Sequence, residues 1–175
     1  MNSFLNSKKV FFQHNSSLSL FFSIKSCFAY NGRDFSICED ATAVQIAGNA
    51  IVLWNTATGE KDYIWSERNG YCTATSNYHK DIIAAAEYGL NPHVHIYELP
   101  SKKIVHSFPM DTTVKCISMA FSRDGRYLLM IGGVPDFRLS IYDLEESKKL
   151  VIPDTKLPCK PEEFICAKFN PCNKD

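Results

Sequence analysis

The side chains best suited to chemistry in this 175-residue sequence are scattered. His93 and His95 alternate, so on a strand they would share one face, as metal ligands can. Two histidines fall short of a site, and no Cys, Asp or Glu stands at a ligand spacing from them; the plainer reading is a pair on an ordinary strand. Asp124 with Asp136, or Glu145 with Glu146, would supply paired carboxylates for acid–base work, but all four sit in turn-like stretches where acidic residues are common. Gly132-Gly133 precedes Val134-Pro135 with no helix pattern after it, so it lacks the helix N-terminus that a phosphate cradle needs. No Walker motif, dinucleotide fingerprint or G-x-S-x-G elbow occurs. The expectation is a chain with no catalytic, cofactor-binding or metal-binding residues, and no enzyme.

Seven cysteines are present, an odd number, and none makes a C-x-x-C pair. Several fall at alternating apolar positions, where a thiol behaves as a small hydrophobe, so they are read as reduced. Apolar residues make up 45% and charged residues 22%, the balance of a globular domain with a real core. Nineteen basic residues offset nineteen acidic ones, which argues against a broad nucleic-acid footprint. Apolar runs are far shorter than the ~20 residues of a membrane helix. Residues 1–27 differ from the rest. Lys8-Lys9 followed by the Phe, Ser and Leu stretch through Ile24 has the order of a secretory signal, but serines interrupt the apolar run and no clean cleavage site follows. They are read as an irregular lead-in.

The elements that would position these side chains show themselves as a repeat. Ile51 to Asn55, Val94 to Glu98 and Leu139 to Asp143 are each an apolar-alternating strand closed by an aromatic and a polar residue, then a polar turn. The aromatics Trp54, Tyr97 and Tyr142 recur at separations of 43 and 45, the period of a four-stranded propeller blade. Other parts keep phase. Cys116 to Phe121, a turn centred on Asp124-Gly125, and Tyr127 to Ile131 read as strand, hairpin turn and strand. Tyr71 to Ser76, Asn77 to Asp81 and Ile82 to Ala86 hold the same places one unit earlier. Ile165 to Phe169 repeats the first strand again, with Phe121 and Phe169 at separation 48. The two are read as equivalent core residues, and truncating Phe121 to Ala would cost about 3–5 kcal/mol in a complete propeller. No segment keeps a helical period over three turns. The fold class is therefore all-β: an incomplete, open propeller over residues 28–175 of about three four-stranded blades, two of them whole, with one partial blade before and one first strand after.

These residues resemble the WD-repeat family, whose defining Trp-Asp dipeptide ends the third strand of each blade. Here Trp54-Asn55, Tyr97-Glu98 and Tyr142-Asp143 hold that place; none is the full dipeptide, and the Gly-His that opens a typical repeat is missing, so the family's hydrogen-bond network is not carried over. The likeness is closer to the WD-repeat domains of cilia- and flagella-associated proteins. It is carried by Ala47 to Leu53, Ala85 to Glu98, Ile117 to Leu129 and Val134 to Leu139. That resemblance implies a protein-binding scaffold without cofactor, located in the cytoplasm and cytoskeleton at the axoneme of a motile cilium or flagellum, where such proteins tether or regulate inner dynein arms. Implied partners are proteins of a large cytoskeletal assembly, dynein-associated ones or tubulin among them, with no nucleic acid and no membrane. The paired lysines Lys102-Lys103 and Lys148-Lys149, in successive turns, would line one rim towards an acidic surface. Two other readings stand beside it: a non-ciliary WD-repeat adaptor, and the propeller portion of a hydrolase such as a prolyl peptidase.

Overall fold

The computed structural model describes residues 35–150, 152 and 166–170, together with two short strands, β1 (Val10–Phe11) and β2 (Phe21–Phe22), which pair antiparallel. The remaining twelve strands form three antiparallel four-stranded sheets. The first holds β3 (Phe35–Ile37), β4 (Thr42–Ala47), β5 (Ala50–Asn55) and β6 (Lys61–Trp65). The second holds β7 (Tyr71–Ser76), β8 (Ile82–Glu87), β9 (His93–Glu98) and β10 (Lys103–Pro109). The third holds β11 (Cys116–Phe121), β12 (Tyr127–Gly132), β13 (Leu139–Asp143) and β14 (Lys148–Leu150). Each sheet is a simple meander, and none closes into a barrel. The sheets stack through their first strands: β7 packs on β3, β4 and β5, and β11 packs on β7 and β8. This is an open array of propeller-like blades.

Strand periodicity explains the packing. Along β8, Ile83 and Ala85 enter the core between the first and second blades, whereas Ala84 and Ala86 enter the core between the second and third. All four are fully buried, because successive side chains point to opposite faces and both faces are covered. That double cover is why the sequence shows one continuous apolar run here. On β9, Tyr97 serves the first seam and Val94 and Ile96 the second. The inner strands also carry a shared irregularity. A bulge lies between Tyr71 and Thr73 in β7, and another at the matching place between Cys116 and Ser118 in β11.

Two expectations are revised. The first unit is a whole blade, not a partial one, because Phe35–Ile37 supplies its inner strand and pairs with Ala43 to Gln45. Three residues are too few to show a period in sequence. At the other end, Cys166 to Asn170 is not a strand; no ladder partner for it lies among the described residues, and Ile165 lies outside them. The segment still lies along the third blade, since the Ala167 amide donates to Ser118 Oγ at 3.1 Å.

Candidate functional site

The residues that close each third strand work mainly on their own turns. Asn55 Oδ1 accepts the amides of Ala57 (3.0 Å) and Thr58 (2.9 Å). Asp143 Oδ1 accepts those of Glu145 (3.0 Å) and Glu146 (3.2 Å). Both are Asx turns that satisfy backbone donors where the chain reverses. The other oxygen of Asp143 receives Nε (3.1 Å) and Nη2 (2.8 Å) of Arg126, which holds the carboxyl below its usual range. Glu98 is exposed and accepts from Ser101 Oγ at 3.1 Å. Trp54 is exposed, with Lys61 Nζ 5.7 Å from its ring centroid.

The Asp124-Gly125 turn is equally local. Asp124 Oδ1 accepts from Ser122 Oγ (2.5 Å) and the Arg126 amide (3.0 Å), and Gly125 adopts a φ of 71°, which a glycine takes without strain. Phe121 is half-buried at the margin of the second core, and Phe169 is half-buried in the segment beyond. Asp136 stands at the opposite end of the same sheet from Asp124, in the β12–β13 connection. There its Oδ2 accepts from the Thr113 amide (2.6 Å) and Thr112 Oγ1 (3.2 Å). The two aspartates therefore do not form a pair. Of the paired lysines, Lys102 binds Asp62 (2.5 Å), Lys148 binds Glu146 and Lys149 binds Asp111, so three of the four charges are offset locally.

A polar cluster that the sequence reading missed lies between the first two blades. Glu87, almost fully buried at the end of β8, accepts from Arg68 Nη1 (3.1 Å) and the His93 amide (3.3 Å) on one oxygen. His95 Nε2 stands 3.4 Å from the other. Burial on its own would raise this carboxyl, but these donors outweigh it and hold the pKa low. The rings of His93 and His95 do share a face, stacked with centroids 6.3 Å apart. Beneath them Tyr71 and Tyr97, both buried, share a hydroxyl–hydroxyl hydrogen bond of 2.8 Å, and burial raises both phenols. The cluster borders a cleft of about 760 Å³ whose lining includes Ile64, Arg68, Glu87, His93, His95 and Ile104. Among the described residues no three metal-ligating side chains are placed to hold an ion. The signal in the sequence was Glu87 itself, a charge ending an apolar run that both seams bury.

This geometry defines a class: stacked antiparallel sheets whose polar side chains tie turns and seams, with loops at both ends of each sheet and exposed outer strands such as β10. No family model matches the chain. It is similar to a protein named "Cilia- and flagella-associated protein 43" from Xenopus laevis, 23% identical over 143 residues, which are 82% of this chain and 9% of that protein. It is also similar to "Cilia- and flagella-associated protein 44" from Mus musculus, 24% identical over 160 residues, or 89% of this chain and 8% of that one. The chain thus spans less than a tenth of the length of the curated relatives it matches.

Proposed function

We propose that this chain is part of a non-catalytic protein-interaction scaffold in a motile cilium or flagellum, docked on the axoneme and holding dynein arms or their regulators in place. The observation that carries the reading is the likeness to proteins named for cilia and flagella, which runs through all three blades. The blades supply a physical basis for docking. Sheets packed face to face present their connecting loops on a rigid frame, so a partner is met at little ordering cost. Tyr88, Leu90 and Val134, in the β8–β9 and β12–β13 connections of neighbouring blades, are exposed apolar side chains suited to such contacts. The charged side chains with most chemical potential (Glu87, Asp143 and Arg126) are occupied in tying the fold together, which supports a scaffold over an enzyme. The WD-repeat assignment belongs to the same proposal.

The test is to tag the full-length product in its own cells and follow it through detergent extraction of the cilia. Retention on the axoneme, along the flagellum and beside the inner dynein arms, is the expected outcome. A tagged protein that stays diffuse in the cytosol, or a source organism that builds no cilia, would remove the ciliary reading.

A further inference from the structure

We infer that Cys72 and Cys116 form a redox staple across the seam between the second and third blades, closed by a peroxide and reopened by a thiol reductant. The inference concerns this chain's own chemistry and does not depend on the ciliary reading.

The position of Cys72 follows from the bulge in β7. The ladder passes from Tyr71 opposite Glu87 to Thr73 opposite Ala86, so Cys72 is the extra residue between them. Its Sγ meets the next blade, where the amide of Cys116 donates to it at 3.2 Å. Cys116 opens β11, just ahead of the matching bulge, and its own Sγ lies 3.2 Å from the Ser118 carbonyl and 3.3 Å from that of Ile131. With the sulfur of one residue this close to the backbone of the other, standard bond lengths hold the two Cα atoms within about 7.5 Å at most. Disulfides usually span about 4.4–6.8 Å, so even at that upper bound the staple requires only rotation about the Cα–Cβ bonds and a backbone shift of about 1 Å at the two strand starts. The two thiols sit on different blades, 44 positions apart in the chain. Beside them the seam is tied by the amide of Gly89, which donates to the Val114 carbonyl at 3.0 Å.

The chemistry balances with one oxidant. Cys72 is half-buried and Cys116 buried, so Cys72 is the thiol that a small peroxide reaches. Its thiolate takes one oxygen from hydrogen peroxide, giving a sulfenic acid and hydroxide. The Cys116 thiolate then attacks that sulfur and expels a second hydroxide. The two thiol protons convert both hydroxides to water, so two thiols and one peroxide give one disulfide and two waters. A dithiol reductant reverses the bond by exchange. The closed staple would fix the second and third blades together near their loops while leaving the first seam unchanged.

The test uses the reduced 175-residue chain, treated with hydrogen peroxide while folded, blocked with N-ethylmaleimide, then unfolded and digested without reductant. The expected result is a linked peptide pair containing Cys72 and Cys116, with two fewer blockable thiols than in the untreated chain. Dithiothreitol should restore both, and Cys72→Ser or Cys116→Ser should abolish the link. The oxidised chain should also melt at a higher temperature than the reduced one. Peroxide that modifies the exposed Cys166 while Cys72 and Cys116 stay blockable would overturn the inference. So would Cys72 accumulating as sulfinic acid, or a link with no rise in melting temperature.

Discussion

Phe108 lies flat on Tyr142, with ring centroids 3.7 Å apart and planes 2° from parallel, and this stack joins the outer part of the second blade to the third. The matching residues between the first and second blades are Ile64 and Tyr97. Ile64 pairs with Ile51 on β5 as Phe108 pairs with Val94 on β9. A branched aliphatic side chain thus replaces the ring at the seam that carries the cleft and the Glu87 cluster. Two seams built to one plan are closed differently, one by an aromatic stack and one by an apolar contact with a polar cluster beside it.

Phe108 is 4% exposed, so its truncation leaves a cavity that neither sheet can collapse into. We predict that Phe108→Ala destabilises the chain by about 3–5 kcal/mol in denaturant titration. Phe121, at the half-buried margin, should lose only about 1–2 kcal/mol when cut to Ala. This is less than its place in the repeat led us to expect. An equal loss at both positions would mean that Phe121 is a core residue after all.

The Tyr71–Tyr97 hydrogen bond should reveal itself through a double-mutant cycle. Either Tyr71→Phe or Tyr97→Phe strands one buried hydroxyl, at a cost of about 1–3 kcal/mol. Removing both hydroxyls strands none, so the double variant should be no worse than the milder single one. Losses that simply add would show that the two hydroxyls act independently.

Glu87 makes stability depend on pH in a defined direction. Its folded pKa lies below the ordinary 4.5, so its contribution is complete above that value and is lost as pH falls through the lower, folded pKa. Glu87→Gln should therefore flatten the upper part of the acid limb in a plot of stability against pH. The lower part should remain, because Asp124, Asp136 and Asp143 are also held below their usual range. An acid limb identical to that of the parent chain would show that Glu87 does not bear this load.

Asp143 has two separable duties. Asp143→Asn keeps an Oδ1 for the turn, as Asn55 does in the first blade, and loses the charge that faces Arg126. Asp143→Ala loses both. Thermal melts should rank the parent above the Asn variant and the Asn variant above the Ala variant. Equal melting temperatures for the two variants would assign the effect to the Arg126 pair alone.

What the sequence determined by itself is the repeat and the strand character of its parts. Two-residue alternation, the aromatic–polar endings at Trp54, Tyr97 and Tyr142, and turn chemistry such as Asp124-Gly125 are local properties, each legible within about ten residues. They sufficed for an open all-β array. They did not reveal that Phe35–Ile37 completes the first blade, because a three-residue strand is recognised only by the partner it pairs with. Nor did they assign work to the repeat positions: Asn55 and Asp143 cap their turns, whereas Glu98, at the same place, stays exposed. Only the tertiary structure brought Arg68 to Glu87, Cys72 to Cys116 and Phe108 to Tyr142. Each of these meetings depends on how one blade twists and packs against another, and the period of a single strand carries no record of which residues will face each other across a seam.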